Sequence, residues 1–366
     1  MGHNVVFLLL SFLVIIVGSE LFTNGVEWLG VRLRLSEGAV GSVLAAVGTA
    51  LPETLIPFVA LVLFRGEDSH EIGVGAILGA PFMLSTLAFF VTALAAWGYR
   101  GRREQSWRLL INRKVAGRDL GFFLPLYAAA IAVSFSPIGH WGRYLVAVSL
   151  LLAYGYYVYL NLRETAEGSK EEPLMLNLVW AALPLLPPAD REAHQVRRES
   201  IAAEPPRLRA VAGQVLLATS LIIGGAYIFV DAVREISAGI GFPPLVIALI
   251  IAPLATELPE KLNSVIWVRQ GKDTLALGNI SGAMVFQATF PVTLGILATP
   301  WHFGGDPVGR AALLSAMIAL GSALVVRIAI SLGRRETIAP WPLAVGLPWW
   351  LLFLGFVLKT VILPRG

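Results

Sequence analysis

Ten blocks of apolar residues, most of them twenty or more long, divide this 366-residue chain. A block of that length is what a helix needs to cross a hydrocarbon core of ~30 Å at ~1.5 Å per residue. Inside lipid every backbone donor and acceptor must be satisfied within the segment, so such blocks fold as spanning helices or not at all. The expected spans are Asn4–Leu29, Glu37–Phe64, Ile72–Trp97, Leu120–Ser136 and Trp141–Asn161, then Leu208–Val233, Pro243–Val268, Thr274–Ala298, Arg310–Leu332 and Trp341–Leu363. Composition agrees: only 14% of the residues are charged, where a soluble domain carries roughly 25%. No Lys or Arg precedes the first block and its apolar pattern runs on to Leu29, so it is expected to be a retained span and not a cleaved leader.

Loop charge orients the spans. With the N-terminus outside, the outer loops hold Arg65, Arg143, Arg234, Arg310, Lys359 and Arg365, while the inner loops take the remaining basic residues apart from Lys261 and Arg327, which fall within spans. This bias follows the positive-inside rule. It also accounts for the net charge of +4, so no nucleic-acid partner is implied; the expected surroundings are the lipid bilayer of the plasma membrane. Both termini are expected outside and the long central loop in the cytoplasm. With no cysteine in the chain, disulfides and thiolate metal sites are excluded.

The chain divides into a first half over 1–162, a linker over 163–206 and a second half over 207–366. The linker is mixed in charge and rich in Pro and Glu; its apolar stretch Leu174–Pro188 is short and broken by prolines, and is expected on the membrane surface. The halves repeat one another. Thr49-Ala50-Leu51-Pro52-Glu53 in the second span matches Thr256-Glu257-Leu258-Pro259-Glu260 in the seventh. Each is followed by a Gly-rich helix start, Gly75 to Ala80 and Gly278 to Ala283, and preceded by a Gly-led segment at Gly18 and Gly224. Five spans per half is an odd number, so the second half is inserted upside down relative to the first. The expected fold is therefore all-α, integral to the membrane, with ten transmembrane helices as two inverted five-helix repeats. Inverted repeats place their site near the midplane, where Glu53 and Glu260 should face each other.

At these residues the chain resembles the cation/calcium exchanger superfamily, which includes sodium/calcium and calcium/proton exchangers. The resemblance covers essentially the whole chain. It implies a secondary antiporter working by alternating access, with Glu53 and Glu260 at the positions of the family's two cation-binding glutamates. The family repeat reads approximately Gly-Thr-Ser-Leu-Pro-Glu, then Gly-Asn-x-x-Gly-Ser-Asn. Here Ala50 and Glu257 replace the first serines, Ala80 and Ala283 the second, and Pro81 and Met284 stand where Asn is usual. The polar position further along is Leu84 in one repeat and Gln287 in the other. Those hydroxyls and amides build the family's sodium sites, so their loss favours protons as counter-ion.

A mid-membrane carboxylate costs roughly 2.5–3.5 kcal/mol on the mildest scale, so it normally marks an ion path. On a helix Glu257 and Glu260 share a face, and Glu257 and Lys261 stand in the i,i+4 order that favours an ion pair. Glu53, Glu257 and Glu260 with Lys261 sum to two negative charges, enough for one divalent cation. A hard cation such as Ca²⁺ wants 6–8 oxygens, and the Thr49 and Thr256 hydroxyls with the Asn279 and Gln287 amides are candidates. Glu20, Glu27 and Asp231 lie nearer helix ends and read as interfacial. No nucleophile–base pair appears, so the chain is expected to be a transporter with no resident cofactor, moving Ca²⁺ or a related cation against H⁺ or Na⁺. Two alternatives stay open: a monovalent cation/proton antiporter in which Lys261 stands in for a bound cation, and a non-transporting membrane sensor or scaffold. None of these features encodes an oligomeric state.

Overall fold

A computed structural model describes residues 2–32, 53–64, 66–135, 139–165, 207–333 and 336–362. Thr49, Ala50 and Pro52 of the first motif and the linker stretch Leu174–Pro188 lie outside the described residues. The helices are α1 (Gly2–Arg32), α2 (Glu53–Leu63), α3 (Glu67–Gly98), α4 (Arg113–Phe135), α5 (His140–Thr165) and α6 (Leu208–Ile240). There follow α7a (Pro244–Thr256) and α7b (Leu258–Arg269), α8a (Asp273–Gln287) and α8b (Phe290–Ala298), α9 (Pro307–Leu332) and α10 (Trp341–Val361). Eight of these spans are long and apolar enough to cross a membrane, with α8a and α8b counted as one; α2 and α7a are shorter apolar helices.

Two boundaries move from their expected places for local reasons. Helix α4 starts at Arg113, seven residues before Leu120, because the Asn112 side chain accepts the backbone N–H groups of Lys114 at 3.1 Å and Val115 at 3.2 Å and so caps an otherwise polar first turn. Helix α6 runs past Val233 to Ile240 and stops at Gly241, whose φ of 70° terminates it in the left-handed conformation that glycine adopts without penalty.

Helices α3 and α8 form the centre. Their most apolar windows are 83% and 78% buried, against 17% to 44% in the other long spans, whose outer faces are left to lipid. Exposed Trp141 and Trp341 sit at the starts of α5 and α10, where interfacial anchors belong.

The closest helix pairs join one half of the chain to the other. Helix α1 lies along α6 through Gly18 and Gly25 on one side and Gly225 on the other; a Cβ on Gly18 would stand 2.8 Å from Ile222 and one on Gly225 2.7 Å from Ile15. Helix α3 lies on α7a in the same way, since a Cβ on Gly75 or Gly79 would run into the carbonyl oxygens of Leu245 or Leu249. Without a hydrophobic force between helices in lipid, such close backbone contact is a main source of association. The second-half counterparts behave differently: Gly282 faces the Tyr157 hydroxyl at 3.6 Å and Gly278 meets nothing within 4 Å among the described residues.

The connecting loops gather at two ends. At one end Arg103 and Asp273 form an ion pair with both side chains fully buried, and a short antiparallel ribbon joins β1 (Leu109–Leu110) to β2 (Thr337–Ile338). That ribbon departs from the all-α expectation, but only by two residues a side. At the other end Arg143 donates to the carbonyls of Thr299 at 2.8 Å and Pro300 at 2.6 Å, and Trp301 Nε1 donates to Ala130 O at 3.0 Å.

Candidate cation site

The seventh span breaks at its motif. Pro259 has no N–H to continue a helical ladder, and α7a ends at Thr256 while α7b begins at Leu258. Glu257, between them, has φ −89° and ψ 6°. The break turns two helix ends toward one region: the carbonyl-rich end of α7a, suited to a cation, and the amide-rich start of α7b, suited to the Glu260 carboxylate in its first turn.

Lys261 Nζ lies 2.9 Å from Glu257 Oε2 and 3.5 Å from the Pro253 carbonyl, so the ammonium is drawn to the end of α7a. Glu257 and Glu260 are 0% and 3% exposed. Glu53, at the start of the described part of α2, is 5% exposed and stands within electrostatic reach of Glu260, Glu257 and Lys261. Residues some two hundred positions apart therefore share one buried region.

Buried polar atoms almost always find a partner. Among the described residues, both oxygens of Glu53, Oε1 of Glu257, Oε2 of Glu260, the Asn279 amide nitrogen, the Thr293 hydroxyl and both ends of the Gln287 amide have none. Gln287 ends α8a, beside the interruption at Ala288 and Thr289 that separates it from α8b. In the first half a π-helical turn over Leu84–Ala88 occupies the corresponding stretch of α3, so both central helices depart from α geometry at the same repeat position. The Thr256 hydroxyl bonds the Ala252 carbonyl at 3.2 Å and can still offer a lone pair.

The carboxylates are near one another without forming a finished cage. Among the described residues no three His, Cys, Asp or Glu converge closely enough to hold a metal ion. Oxygens from amides, hydroxyls or freed carbonyls have to complete any coordination sphere in this conformation.

Two buried acids escaped the sequence reading, Asp273, which pairs with Arg103, and Asp119. Asp119 was expected in a loop ahead of Leu120; the early start of α4 puts it inside the bundle at 2% exposure. The Asn112 cap signal before Arg113 is the sequence cue that would have found it.

A bundle of this kind, with acidic and amide groups buried where its halves meet, defines a polytopic membrane protein of the ion-transporter class. The chain belongs to the sodium/calcium exchanger family, whose model matches residues 3–163 and 210–359. It is similar to the putative antiporter CaxA of Alkalimonas amylolytica, 24% identical over 312 residues, which cover 83% of this chain and 84% of that one. Among solved structures it is similar to the H⁺/Ca²⁺ exchanger CAX, with a TM-score of 0.68 at 18% identity over 97% of this chain and 82% of the other. It is also similar to the sodium-calcium exchanger NCX_Mj, with a TM-score of 0.57 at 16% identity over 96% and 98%.

Proposed function

We propose that this chain is a secondary antiporter that exchanges Ca²⁺, or a related divalent cation, for protons by alternating access. In this reading it crosses the plasma membrane ten times as two inverted five-helix repeats, with both termini outside and the linker in the cytoplasm. The observation that carries the reading is the burial of Glu53 and Glu260 from opposite halves within electrostatic reach of one another, with carboxylate oxygens that no donor among the described residues occupies. Hard cations take such oxygens, and a carboxylate that gives up a cation can take a proton in its place. Similarity to proteins named as H⁺/Ca²⁺ and sodium-calcium exchangers supports the same reading.

Cation binding falls to Glu53 and Glu260, with Glu257, Thr49, Thr256, Asn279 and Gln287 as further ligands, and Lys261 tunes the charge they offer. The replacement of the family's serines by Ala80, Ala283 and Ala50 favours protons over sodium as the counter-ion. The Lys261–Glu257 pair favours one second reading, monovalent cation/proton exchange, because it cancels a negative charge that a divalent cation would use.

Purified protein in sealed vesicles tests both. Uptake of Ca²⁺ driven by a pH gradient with sodium absent is the expected result. Uptake that needs a sodium gradient and ignores pH would restore sodium exchange, uptake of monovalent ions alone would select the second reading, and no flux of any ion would leave a sensor or scaffold.

A further inference from the structure

Asp119 lies outside the cation site, two turns into α4, and three helices meet on it. Its Oδ1 accepts from the Tyr157 hydroxyl of α5 at 3.0 Å and its Oδ2 from the Ser281 hydroxyl of α8a at 2.7 Å. An amide could cross-link the same helices without the cost of a charge in the membrane. An acid between two hydroxyls can do what an amide cannot. Serine and tyrosine both donate and accept, so the trio stays bonded when Asp119 takes up a proton: the acid O–H donates to one hydroxyl oxygen. If that hydroxyl is Ser281, its hydrogen turns to the carbonyl four residues back, an ordinary helical alternative.

A second observation leads to the same pair. A shallow crease too tight to hold a water molecule runs between α4 and α8a at the end that holds the Arg103–Asp273 pair, with Asn112, Val115 and Ala116 on one wall and Thr274, Leu277 and Gly278 on the other. These positions step by three and four along each helix, and the next positions on the two stripes are Asp119 and Ser281. The mouth is polar, with the Asn112 N–H donating to Thr274 Oγ1 at 3.2 Å. Ala116 and Gly278 keep the walls low.

The ionisable groups around Asp119 are few. Arg118 precedes it on α4 and donates to Asn161 Oδ1 at 2.5 Å. Helix α5 brings Tyr157 and Tyr154. Helix α9 brings Arg327, whose guanidinium faces Gly117. Helix α8a brings only Asp273 at its far end, clasped by Arg103.

We propose that Asp119 is a second proton-binding carboxyl of the antiporter, loaded along the seam between α4 and α8a when the helices part and felt at the cation site through α8a. The inference rests on the antiport reading, because α8a also carries Asn279 and Gln287. One proton from water binds one Asp119 oxygen and leaves by the same route; nothing else is transferred.

Infrared difference spectra of the reconstituted full-length protein on a pH step read carboxyl protonation without transport. A carboxylic-acid band should appear on acidification, be lost in Asp119→Asn and persist in Glu53→Gln. In Ser281→Ala, which keeps the acid and removes one hydrogen bond, the band should shift in frequency; this variant carries the test if Asp119→Asn fails to fold. A full set of carboxyl bands in Asp119→Asn, or a Ser281→Ala spectrum superimposable on wild type, overturns the proposal. Vesicles of wild type that show the Asp119 band but no pH-driven cation flux would sink the antiport reading and leave the proton site standing.

Discussion

Lys261 Nζ sits 2.9 Å from Glu257 Oε2 across the break in the seventh span, with the lysine side chain 12% exposed and the glutamate fully buried. The pair is the i,i+4 arrangement that a helix would give, yet Glu257 itself is not helical. It survives because Lys261 N–H still bonds the Glu257 carbonyl at 3.1 Å, which fixes one turn's spacing across the junction.

Removing the lysine should therefore be costly, and the cost should be recoverable. Lys261→Met leaves a buried carboxylate without its cation, a change worth about 3–5 kcal/mol, and should lower the thermal midpoint in detergent. Adding Glu257→Gln should restore most of it, because the double variant then carries no more unpaired buried charge than the wild type. A double variant as unstable as Lys261→Met would show that the ion pair is not what the lysine contributes.

The two motif glutamates should be indispensable for flux and dispensable for folding. Glu53→Gln and Glu260→Gln keep side-chain shape and remove the charge that holds a cation, so each should reduce cation uptake by more than the ~10–100-fold that loss of an outer-shell partner of a metal ligand costs. Melting curves should stay near wild type, since neither carboxylate pair forms a salt bridge among the described residues. Near-normal uptake by either variant would move the site elsewhere.

Close approach of α3 to α7a can be tested at one atom. Gly79→Ala places a methyl group against the Leu249 carbonyl and Pro253 ring, and overpacking of that kind costs roughly 1–3 kcal/mol. The control is Gly224→Ala on α6, which meets nothing within 4 Å among the described residues and should not lower the melting temperature. Equal stability of the two variants would place the α3–α7a contact wrongly.

Orientation is open to chemical labelling on a background with no cysteine. Ser69, a near-isosteric position for a cysteine ahead of the third expected span, is fully buried; the neighbouring Asp68 and the loop residue Glu104 are exposed. A cysteine at Glu104 should react only with reagent on the cytoplasmic side, and one at Asp68 only from outside. The reverse pattern would invert both halves.

The sequence alone determined the apolar blocks, the paired Leu-Pro-Glu motifs and the Glu257–Lys261 spacing. Each is local: a spanning helix satisfies its own backbone, and a turn of helix sets which neighbours meet, so neither needs knowledge of distant residues. Expected spans fell on helices through most of the described chain, with breaks at Glu257 and at Ala288–Thr289 that the apolar pattern does not show, and with shifts at ends where a cap decides, as Asn112 does for α4.

What only the tertiary structure decided are relationships between residues far apart in the chain. Asp119 meets Tyr157 after 38 positions and Ser281 after 162; Arg103 meets Asp273 after 170. No periodicity carries such pairings, because they depend on which helix faces pack, and in lipid that choice is made by small residues at close contact and by buried polar groups seeking partners. Gly75 and Gly278 read alike in the repeat, and only the first touches a backbone among the described residues. The sequence could say that glycines permit contact; the packed bundle decided which of them use it.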